Sequence, residues 1–397
     1  MNHTPSGERI HIAVFGKRNA GKSSLVNAIT GQNLSIVSPV KGTTTDPVYK
    51  AMELLPLGPV QFIDTPGIDD EGELGQLRIE KTLQVLHKTD IALLVVDSGQ
   101  SLSDEEQTLL SQINEKQIPY ILVYNKSDLL NKVPETKSNT IWVSAQNGAN
   151  IHELKEMIAN MLQNSVTQPL VSDLLSENDT VVLVVPIDSA APKGRLILPQ
   201  QQVIRDILDS NATAFVCKEN TLAQTLEQLK KPPRMVITDS QVFGQVNKLV
   251  PSYIPLTSFS ILMARYKGDL ATVVSGAATI NKIQTGDKIL IAEGCTHHRQ
   301  CNDIGTVKIP NLIRKHIGVE PDFHFCSGTE FPEDLTDYKL IIHCGGCMLN
   351  AKEMKYRLQC CKNKQIPVTN YGILIAYLNG ILKRTIEPFT DIKGLLD

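Results

Sequence analysis

Gly16-Lys17-Arg18-Asn19-Ala20-Gly21-Lys22-Ser23 follows a short apolar run, Ile10 to Phe15, and precedes a helix-forming run, Ser24 to Ile29. A strand, a glycine-containing loop and a helix in this order are the context of a phosphate-binding loop. Glycines let backbone N–H groups and the helix N-terminus face the phosphates. Lys22 is expected to pair with the β- and γ-phosphates, and the Ser23 hydroxyl to bind Mg²⁺. The stretch therefore predicts a nucleoside triphosphate site on a parallel sheet.

Two further segments are expected to complete the Mg²⁺ and γ-phosphate contacts. Asp64-Thr65-Pro66-Gly67 ends a second predicted strand, where Asp64 can reach Mg²⁺ through water and the Gly67 amide can meet the γ-phosphate. Gly42-Thr43-Thr44-Thr45-Asp46 lies upstream, and we favour Thr44 or Thr43 as a Mg²⁺ ligand over a simple polar turn. The predicted catalytic groups are Lys22, Thr44 and Gly67.

The base is predicted from Asn125-Lys126-Ser127-Asp128, which follows the predicted strand Tyr120 to Tyr124. The Asp128 carboxylate can accept from the ring and amino N–H groups of guanine, whereas adenine would leave it unpaired. Ser144-Ala145-Gln146 ends the next strand, where a backbone contact to the guanine oxygen is expected. The expected ligand is GTP with Mg²⁺. Its predicted contacts are Gly16, Asn19, Ala20, Gly21, Lys22, Ser23, Ser24, Thr43, Thr44, Asp64, Gly67, Asn125, Lys126, Asp128, Ser144 and Ala145.

Together these segments resemble the GTPases of the TrmE and Era type. In that group an asparagine at the position of Asn19 often marks a monovalent-cation site, so the resemblance implies stimulation by K⁺. Ile68 follows Gly67, where many signalling GTPases carry a glutamine that orients the attacking water. An aliphatic side chain cannot do this, so slow, Mg²⁺-dependent and conditional hydrolysis is expected.

The chain is expected to form three α/β domains. Apolar runs alternate with helix-period segments at first, which predicts a doubly wound parallel sheet in residues 8–168. A polar stretch separates a second α/β series, 178–266, which lacks a glycine-rich loop, and the pattern changes again in 267–397. Predicted elements of that last part are a helix at 269–280, strands at 288–292 and 339–343, and helices at 349–362 and 372–382.

Composition limits the classes of partner. The 397 residues are 42% apolar and 20% charged, with a net charge of -3. This composition predicts a folded protein and disfavours nucleic acid as a main partner. No apolar run approaches a membrane span, and no secretory signal is visible, so we expect a cytoplasmic protein without a membrane partner.

Seven of the eight cysteines lie between Cys295 and Cys361, so metal chemistry is expected only in the last third. Cys295-Thr296-His297 follows one predicted strand and His343-Cys344-Gly345-Gly346-Cys347 another, and two loops at strand ends can converge on a metal. A zinc site and an iron-sulfur cluster fit this spacing about equally well. A redox pair of Cys344 and Cys347 also fits, but it would leave the histidines and Cys295 without a role.

The last third contains C-x-H, then 45 intervening residues, and then H-C-x-x-C, all downstream of a GTPase domain. This arrangement resembles the maturation GTPases of iron-only (FeFe) hydrogenases, the HydF family. The segment from Val185 to Leu196 is similar as well. The resemblance implies a dimerising middle domain and a C-terminal domain with a 4Fe-4S cluster on Cys295, Cys344 and Cys347. The fourth position would be His297, His343 or an exchangeable ligand.

The resemblance further implies a homodimeric scaffold and carrier. It would hold the diiron precursor of the hydrogenase active site, made with two radical-SAM maturases, and deliver it to apo FeFe-hydrogenase. GTP hydrolysis would time the exchange of partners. The alternative interpretation is an RNA-related GTPase of the TrmE or Era class with a zinc-binding appendage.

Overall fold

The computed structural model of the protein describes residues 4–31, 47–69, 73–162, 168–187, 196–294, 303–328 and 330–396. The chain divides into two compact units, Met1–Val166 and Thr167–Asp397. None of the helices within these described ranges has both the length and the apolar character needed to cross a membrane.

The first unit is a six-stranded sheet with helices on both faces. Its strands are β1 (Ile10–Phe15), β2 (Val48–Leu54), β3 (Gly58–Asp64), β4 (Ile91–Asp97), β5 (Tyr120–Asn125) and β6 (Thr140–Trp142). Its helices are α1 (Lys22–Thr30), α2 (Glu73–His87), α3 (Asp104–Glu115) and α4 (Ile151–Met161). The order is β2-β3-β1-β4-β5-β6, and every neighbouring pair is parallel except β2 with β3.

Alternate residues of the central strands supply two cores, one on each face of this sheet. Ile12 and Val14 of β1 belong to one core, and Ala13 and Phe15 to the other. Burial on both faces explains why the strands are continuous apolar runs in the sequence. Because the strands are parallel, the loops that follow β1, β3, β5 and β6 all lie at one edge.

The second unit contains two four-stranded parallel sheets, ordered β10-β9-β7-β8 and β12-β11-β13-β14. The strands are β7 (Thr180–Val184), β8 (Thr213–Cys217), β9 (Met235–Thr238), β10 (Leu256–Ser258), β11 (Lys288–Glu293), β12 (Asp322–Ser327), β13 (Tyr338–His343) and β14 (Val368–Asn370).

Nine helices of the described second unit surround these sheets. They are α5 (Leu198–Asp209), α6 (Leu222–Gln228), α7 (Phe243–Leu249), α8 (Phe259–Lys267), α9 (Leu270–Ala277), α10 (Ile309–Ile317), α11 (Ala351–Asn363), α12 (Tyr371–Leu378) and α13 (Leu382–Ile386). Four of these helices begin with a side-chain cap, in which a side-chain oxygen of the residue before the helix accepts an amide N–H of the first turn. These caps are Ser258, Asp269, Asn350 and Asn370.

The two sheets of the second unit share one hydrophobic core. Leu183 and Ile237 of the first sheet and Leu290 and Ile341 of the second belong to the same cluster of buried side chains. Strands β7–β10 fall within the predicted domain 178–266 and β11–β14 within 267–397. The exact domain bounds stay a prediction.

The α/β fold class is confirmed, with some corrections to its elements. In the sheet β10-β9-β7-β8, the sequence from Tyr253 to Leu256 predicts a strand, but β10 starts only at Leu256, and Tyr253 is 72% exposed. The predicted helix 372–382 is two helices, because Asn379-Gly380 interrupts it with a φ of +68° at Gly380. Strands β2, β12 and β14 were not expected from the sequence. All three are sheet edges, where only one neighbour is present and an apolar run is not required.

Candidate functional site

The predicted phosphate-binding loop connects β1 to α1. Gly21 has a φ of +90°, and a Cβ added there would lie 2.2 Å from Nδ2 of Asn125. A side chain is therefore excluded by conformation and by space. Asn19 also has a positive φ, +64°, and is exposed on the loop. The loop thus takes the form that the glycine spacing predicts.

Lys22 lies across the loop and is 8% exposed. Its Nζ donates to the carbonyl oxygens of Gly16 at 2.9 Å and Lys17 at 2.8 Å. Burial lowers the pKa of Lys22, and the nearby carboxylate of Asp64 opposes that shift. A phosphate at the loop would offer this ammonium a charged acceptor in place of neutral carbonyls.

Ser23 and Asp64, the two residues predicted to bind Mg²⁺, contact each other. The Ser23 hydroxyl donates to Oδ2 of Asp64 at 2.5 Å. Burial raises the pKa of Asp64, and the Ser23 hydrogen bond opposes that rise. Oδ1 of Asp64 is buried and accepts no hydrogen bond from the described residues. A hydroxyl and a carboxylate with an unsatisfied oxygen fit a hard cation such as Mg²⁺.

The segment after Asp64 lies against the phosphate-binding loop. A Cβ added to Gly67 would lie 3.0 Å from the Arg18 amide nitrogen, and Oδ1 of Asp69 accepts from that amide at 2.7 Å. Ile68 is 9% exposed and belongs to the core that contains Phe15. The aliphatic side chain is thus used in packing. Ser24 is exposed in the first turn of α1, whereas Thr43 and Thr44 lie outside the described residues.

Asn125 joins the phosphate-binding loop to the two segments that are expected to hold the base. Its Nδ2 donates to the Ala20 carbonyl at 3.0 Å, and its Oδ1 accepts from the Ala145 amide at 3.0 Å. The Ser144 hydroxyl donates to Oδ1 of Asp128 at 2.5 Å. The structure therefore brings the three segments together and orients Asp128, whose side chain remains exposed.

Two neighbours of this site were not identified from the sequence. Oδ2 of Asp97 lies 2.6 Å from Nζ of Lys126, and the Ser98 hydroxyl donates to the Lys126 carbonyl at 2.9 Å. These two contacts hold the side chain and the backbone carbonyl of Lys126, whose φ is +64°. Their signal was their position at the end of β4, at the same sheet edge as the recognised loops.

In the second unit, Gly294, which follows β11, lies beside the loop that follows β13. The two strands are parallel neighbours, with Ala292 opposite His343. Sγ of Cys344 accepts backbone N–H groups from Gly294 at 3.0 Å and Gly346 at 3.3 Å. Gly346 has a φ of +61°, which suits glycine and lets the loop turn back toward the sulfur.

This arrangement fits a thiolate-bound metal group. Burial raises the pKa of the Cys344 thiol to about 11, and the two amide hydrogen bonds oppose that rise. Amides aimed at a cysteine sulfur stabilise a metal-bound thiolate. Cys295 and His297 lie outside the described residues, but Gly294, which precedes Cys295, contacts Cys344. Among the residues the structure describes, no three His, Cys, Asp or Glu side chains form a metal-binding group.

Both ring nitrogens of His343 have hydrogen-bond partners within the protein. Its Nδ1 lies 3.0 Å from the Cys344 carbonyl, and its Nε2 lies 3.1 Å from Nη1 of Arg357. A guanidinium can only donate, so Nε2 is the acceptor and Nδ1 carries the proton. Burial, and then the Arg357 charge, lower the pKa of His343 to about 3. To bind a metal through Nε2, His343 would have to give up Arg357.

Comparison with protein families agrees with this division of the chain. The family model described as 50S ribosome-binding GTPase matches residues 11–126. The hydrogen maturase F dimerization domain matches residues 170–268, and the hydrogen maturase F tetramerization domain matches residues 271–388. The two hydrogen maturase F matches together cover more than half of the chain.

Curated relatives resemble the GTPase unit. The tRNA modification GTPase MnmE of Nitrosospira multiformis is 34% identical over 162 residues, covering 39% of this chain and 35% of that protein. GTPase Der of Wolinella succinogenes is 35% identical over 171 residues, covering 39% of this chain and 36% of that protein. The chain thus spans only about a third of the length of these relatives.

Among solved structures, an Era variant from Aquifex aeolicus bound to GDP and AlF4⁻ is 22% identical and covers 52% of this chain and 91% of that chain. Its TM-score is 0.35, and a similarity of this size does not bear on function.

Proposed function

The chain belongs to the hydrogen maturase F (HydF) family, and we propose that it is a GTPase that carries metal clusters. In this proposal it binds a 4Fe-4S cluster and transports the diiron precursor of the hydrogenase active site to apo FeFe-hydrogenase. GTP hydrolysis times the exchange of partners and does not drive the iron chemistry.

The first unit is a GTPase domain, and its geometry supports a slow switch. The contacts of Lys22, Ser23 and Asp64 support the proposed phosphate and Mg²⁺ roles, and the Ser144 hydrogen bond to Asp128 supports the proposed guanine contact. Ile68 is buried and offers no polar group to a water molecule. The proposal therefore requires help for hydrolysis, from K⁺ beside Asn19 or from a group supplied by another segment or a partner.

The observation that carries the cluster proposal is the pair of amides on one sulfur. The amides of Gly294 and Gly346 come from two different loops and both reach Sγ of Cys344. Cys295, Cys344 and Cys347 would hold the cluster, which supplies one-electron chemistry and an exchangeable iron position when bound. His297 or His343 is proposed for the fourth position, and His343 would first have to release Arg357.

The partners in this proposal follow from the family. The chain would form a homodimer through the segment matched as a dimerization domain, and the tetramerization match supports further assembly. Two radical-SAM maturases would supply the diiron precursor and apo-hydrogenase would receive it, in the cytoplasm, without a nucleic-acid or membrane partner.

Anaerobic purification of the full chain tests the proposal. Iron, acid-labile sulfide and zinc are measured together with the EPR spectrum, for the wild type and for Cys295→Ser, Cys344→Ser and Cys347→Ser. About four iron and four sulfide per chain are expected for the wild type. Each substitution is expected to lower both, whereas Cys217→Ser, in the other sheet of the same unit, should not.

Other outcomes would favour a different function. One zinc per chain without sulfide, together with retention of total RNA, supports the RNA-related GTPase. Reversible disulfide formation between Cys344 and Cys347 in the metal-free protein supports a redox enzyme. Either result would count against the carrier proposal.

A further inference from the structure

A buried lysine from the segment matched as a dimerization domain contacts the loop that carries Cys344 and Cys347. Lys267 is the last residue of α8 and is 2% exposed. Its Nζ donates to the carbonyl oxygens of Gly346 at 3.3 Å, Cys347 at 3.1 Å and Leu349 at 2.8 Å. The loop itself lies in the segment matched as a tetramerization domain.

Three carbonyl oxygens of one loop accept hydrogen bonds from the Lys267 ammonium. A lysine ammonium has three N–H donors, and three carbonyl oxygens of a single loop can accept them. Removing an ammonium from water is costly unless such hydrogen bonds replace the water. The Lys267 ammonium therefore contacts the backbone of this loop directly, in a buried environment where electrostatic interactions are stronger than in water.

Gly346 connects the lysine to the sulfur. Its carbonyl oxygen accepts from Lys267, and its own N–H donates to Sγ of Cys344. The φ of +61° allows this arrangement, and a Cβ at Gly346 would lie 2.6 Å from Sδ of Met354. The lysine thus holds the peptide that presents an N–H to the thiolate.

We propose that Lys267 is a positioning residue of the cluster site, which shapes the Cys344–Leu349 loop and biases the cluster toward its reduced form. The inference rests on the proposed function. A nearby positive charge stabilises the state with the extra electron, and hydrogen bonds to cysteine sulfur act in the same direction. The cluster site is then built from both family-matched segments of the second unit, and not from the C-terminal segment alone.

The test compares Lys267→Met with Lys362→Met in the full-length protein. Methionine has a similar length but lacks both the charge and the donors. Lys362 pairs with Asp269 at 2.6 Å on the surface of the same unit, so its substitution removes a lysine without touching the loop. Should Lys267→Met fail to fold, Lys267→Gln, which keeps an N–H donor but no charge, takes its place.

Three measurements are made after anaerobic reconstitution with iron and sulfide. Lys267→Met is expected to lose iron to a chelator about 10-fold to 100-fold faster than the wild type. Its midpoint potential, from an EPR-monitored titration, is expected to be more negative. In the metal-free protein, the amides of residues 344–349 are expected to exchange hydrogen faster. Lys362→Met should match the wild type in all three.

A purely structural lysine would give a different result. A lower unfolding temperature in Lys267→Met, with an unchanged potential and iron-loss rate, would overturn the proposal. A wild type that takes up no iron and sulfide would instead contradict the proposed function. Failure of the Lys267 proposal and failure of the proposed function are therefore distinguishable.

Discussion

The Ser23 hydroxyl donates a 2.5 Å hydrogen bond to Oδ2 of Asp64, and Oδ1 of the same carboxylate is buried without a partner among the described residues. Such an oxygen costs free energy until a cation or water reaches it. The two residues expected to bind Mg²⁺ are therefore already in contact, and Oδ1 of Asp64 is the oxygen that a cation would contact.

Asp64→Asn is expected to weaken Mg²⁺-dependent GTP hydrolysis by at least about 10-fold, because a neutral amide is a poor Mg²⁺ ligand. Without metal, the variant is expected to be as stable as the wild type or more stable, since the buried charge is gone. Rates against Mg²⁺ concentration and thermal unfolding in EDTA check both parts. Asp104→Asn, an exposed aspartate in the first turn of α3, is the control. An unchanged Mg²⁺ dependence in Asp64→Asn would contradict the assignment.

Asp128→Asn is expected to lower GTP affinity about 100-fold and to favour xanthosine triphosphate, because the amide supplies a donor where guanine needs an acceptor. Competition binding with the two nucleotides measures the shift. Ser144→Ala, which removes only the hydrogen bond that orients Asp128, should give a smaller loss without a change of preference. Equal GTP affinity in Asp128→Asn and the wild type would refute the base assignment.

K⁺ is expected to raise the hydrolysis rate above that in Na⁺, and Asn19→Gly is expected to abolish the difference. Glycine keeps the backbone conformation that the φ of +64° demands and removes only the side-chain amide. Steady-state rates at constant ionic strength give the comparison. Equal rates of the wild type in both salts would remove the role of Asn19.

Acidification is expected to destabilise the first unit through His11. This ring is 4% exposed, and burial lowers its pKa from 6.5 to about 4, opposed by the carbonyls of Ser6 and Lys88. Between those pH values the unfolded chain binds a proton that the folded chain does not, so stability falls as the pH drops from 6.5 to 4. The shift corresponds to about 3 kcal/mol at its fullest.

Denaturant unfolding at several pH values measures this effect, with His11→Gln as the control. The variant should lose less stability over that interval. Its remaining pH dependence includes His87, whose pKa burial also lowers to about 4. Parallel curves for the wild type and His11→Gln would rule out His11 as the source.

Arg357→Met is expected to destabilise the second unit by about 3–5 kcal/mol, because it leaves the Glu353 carboxylate buried without its cation. Nε of Arg357 lies 2.9 Å from Oε1 of Glu353, and the two side chains are 1% and 9% exposed. Arg205→Met breaks a pair of the same helical spacing, with Asp209, on an exposed surface. Little change is expected there, and equal unfolding midpoints for the two variants would contradict the buried-pair argument.

The proximity of the loops after β1, β3, β5 and β6 was readable from the sequence because each of these loops follows an apolar strand. Parallel strands bring their carboxyl ends to one edge, so order along the chain predicts proximity. The contacts of Asp97 and Ser98 with Lys126 were missed, since neither residue lies in a recognisable segment. Edge strands such as β2 and β12 were missed because exposure on one side removes the apolar pattern.

The sequence by itself determined the fold class, the GTP-binding loops and the resemblance of the last third to a cluster-binding segment, since local spacing encodes all three. Only the tertiary structure decided the partners of single side chains. It placed both ring nitrogens of His343 in hydrogen bonds, and it brought Lys267 of α8 to the loop that ends with Leu349. The physical reason is that a buried polar group must find its partners wherever the folded chain brings them, and such partners leave no local pattern.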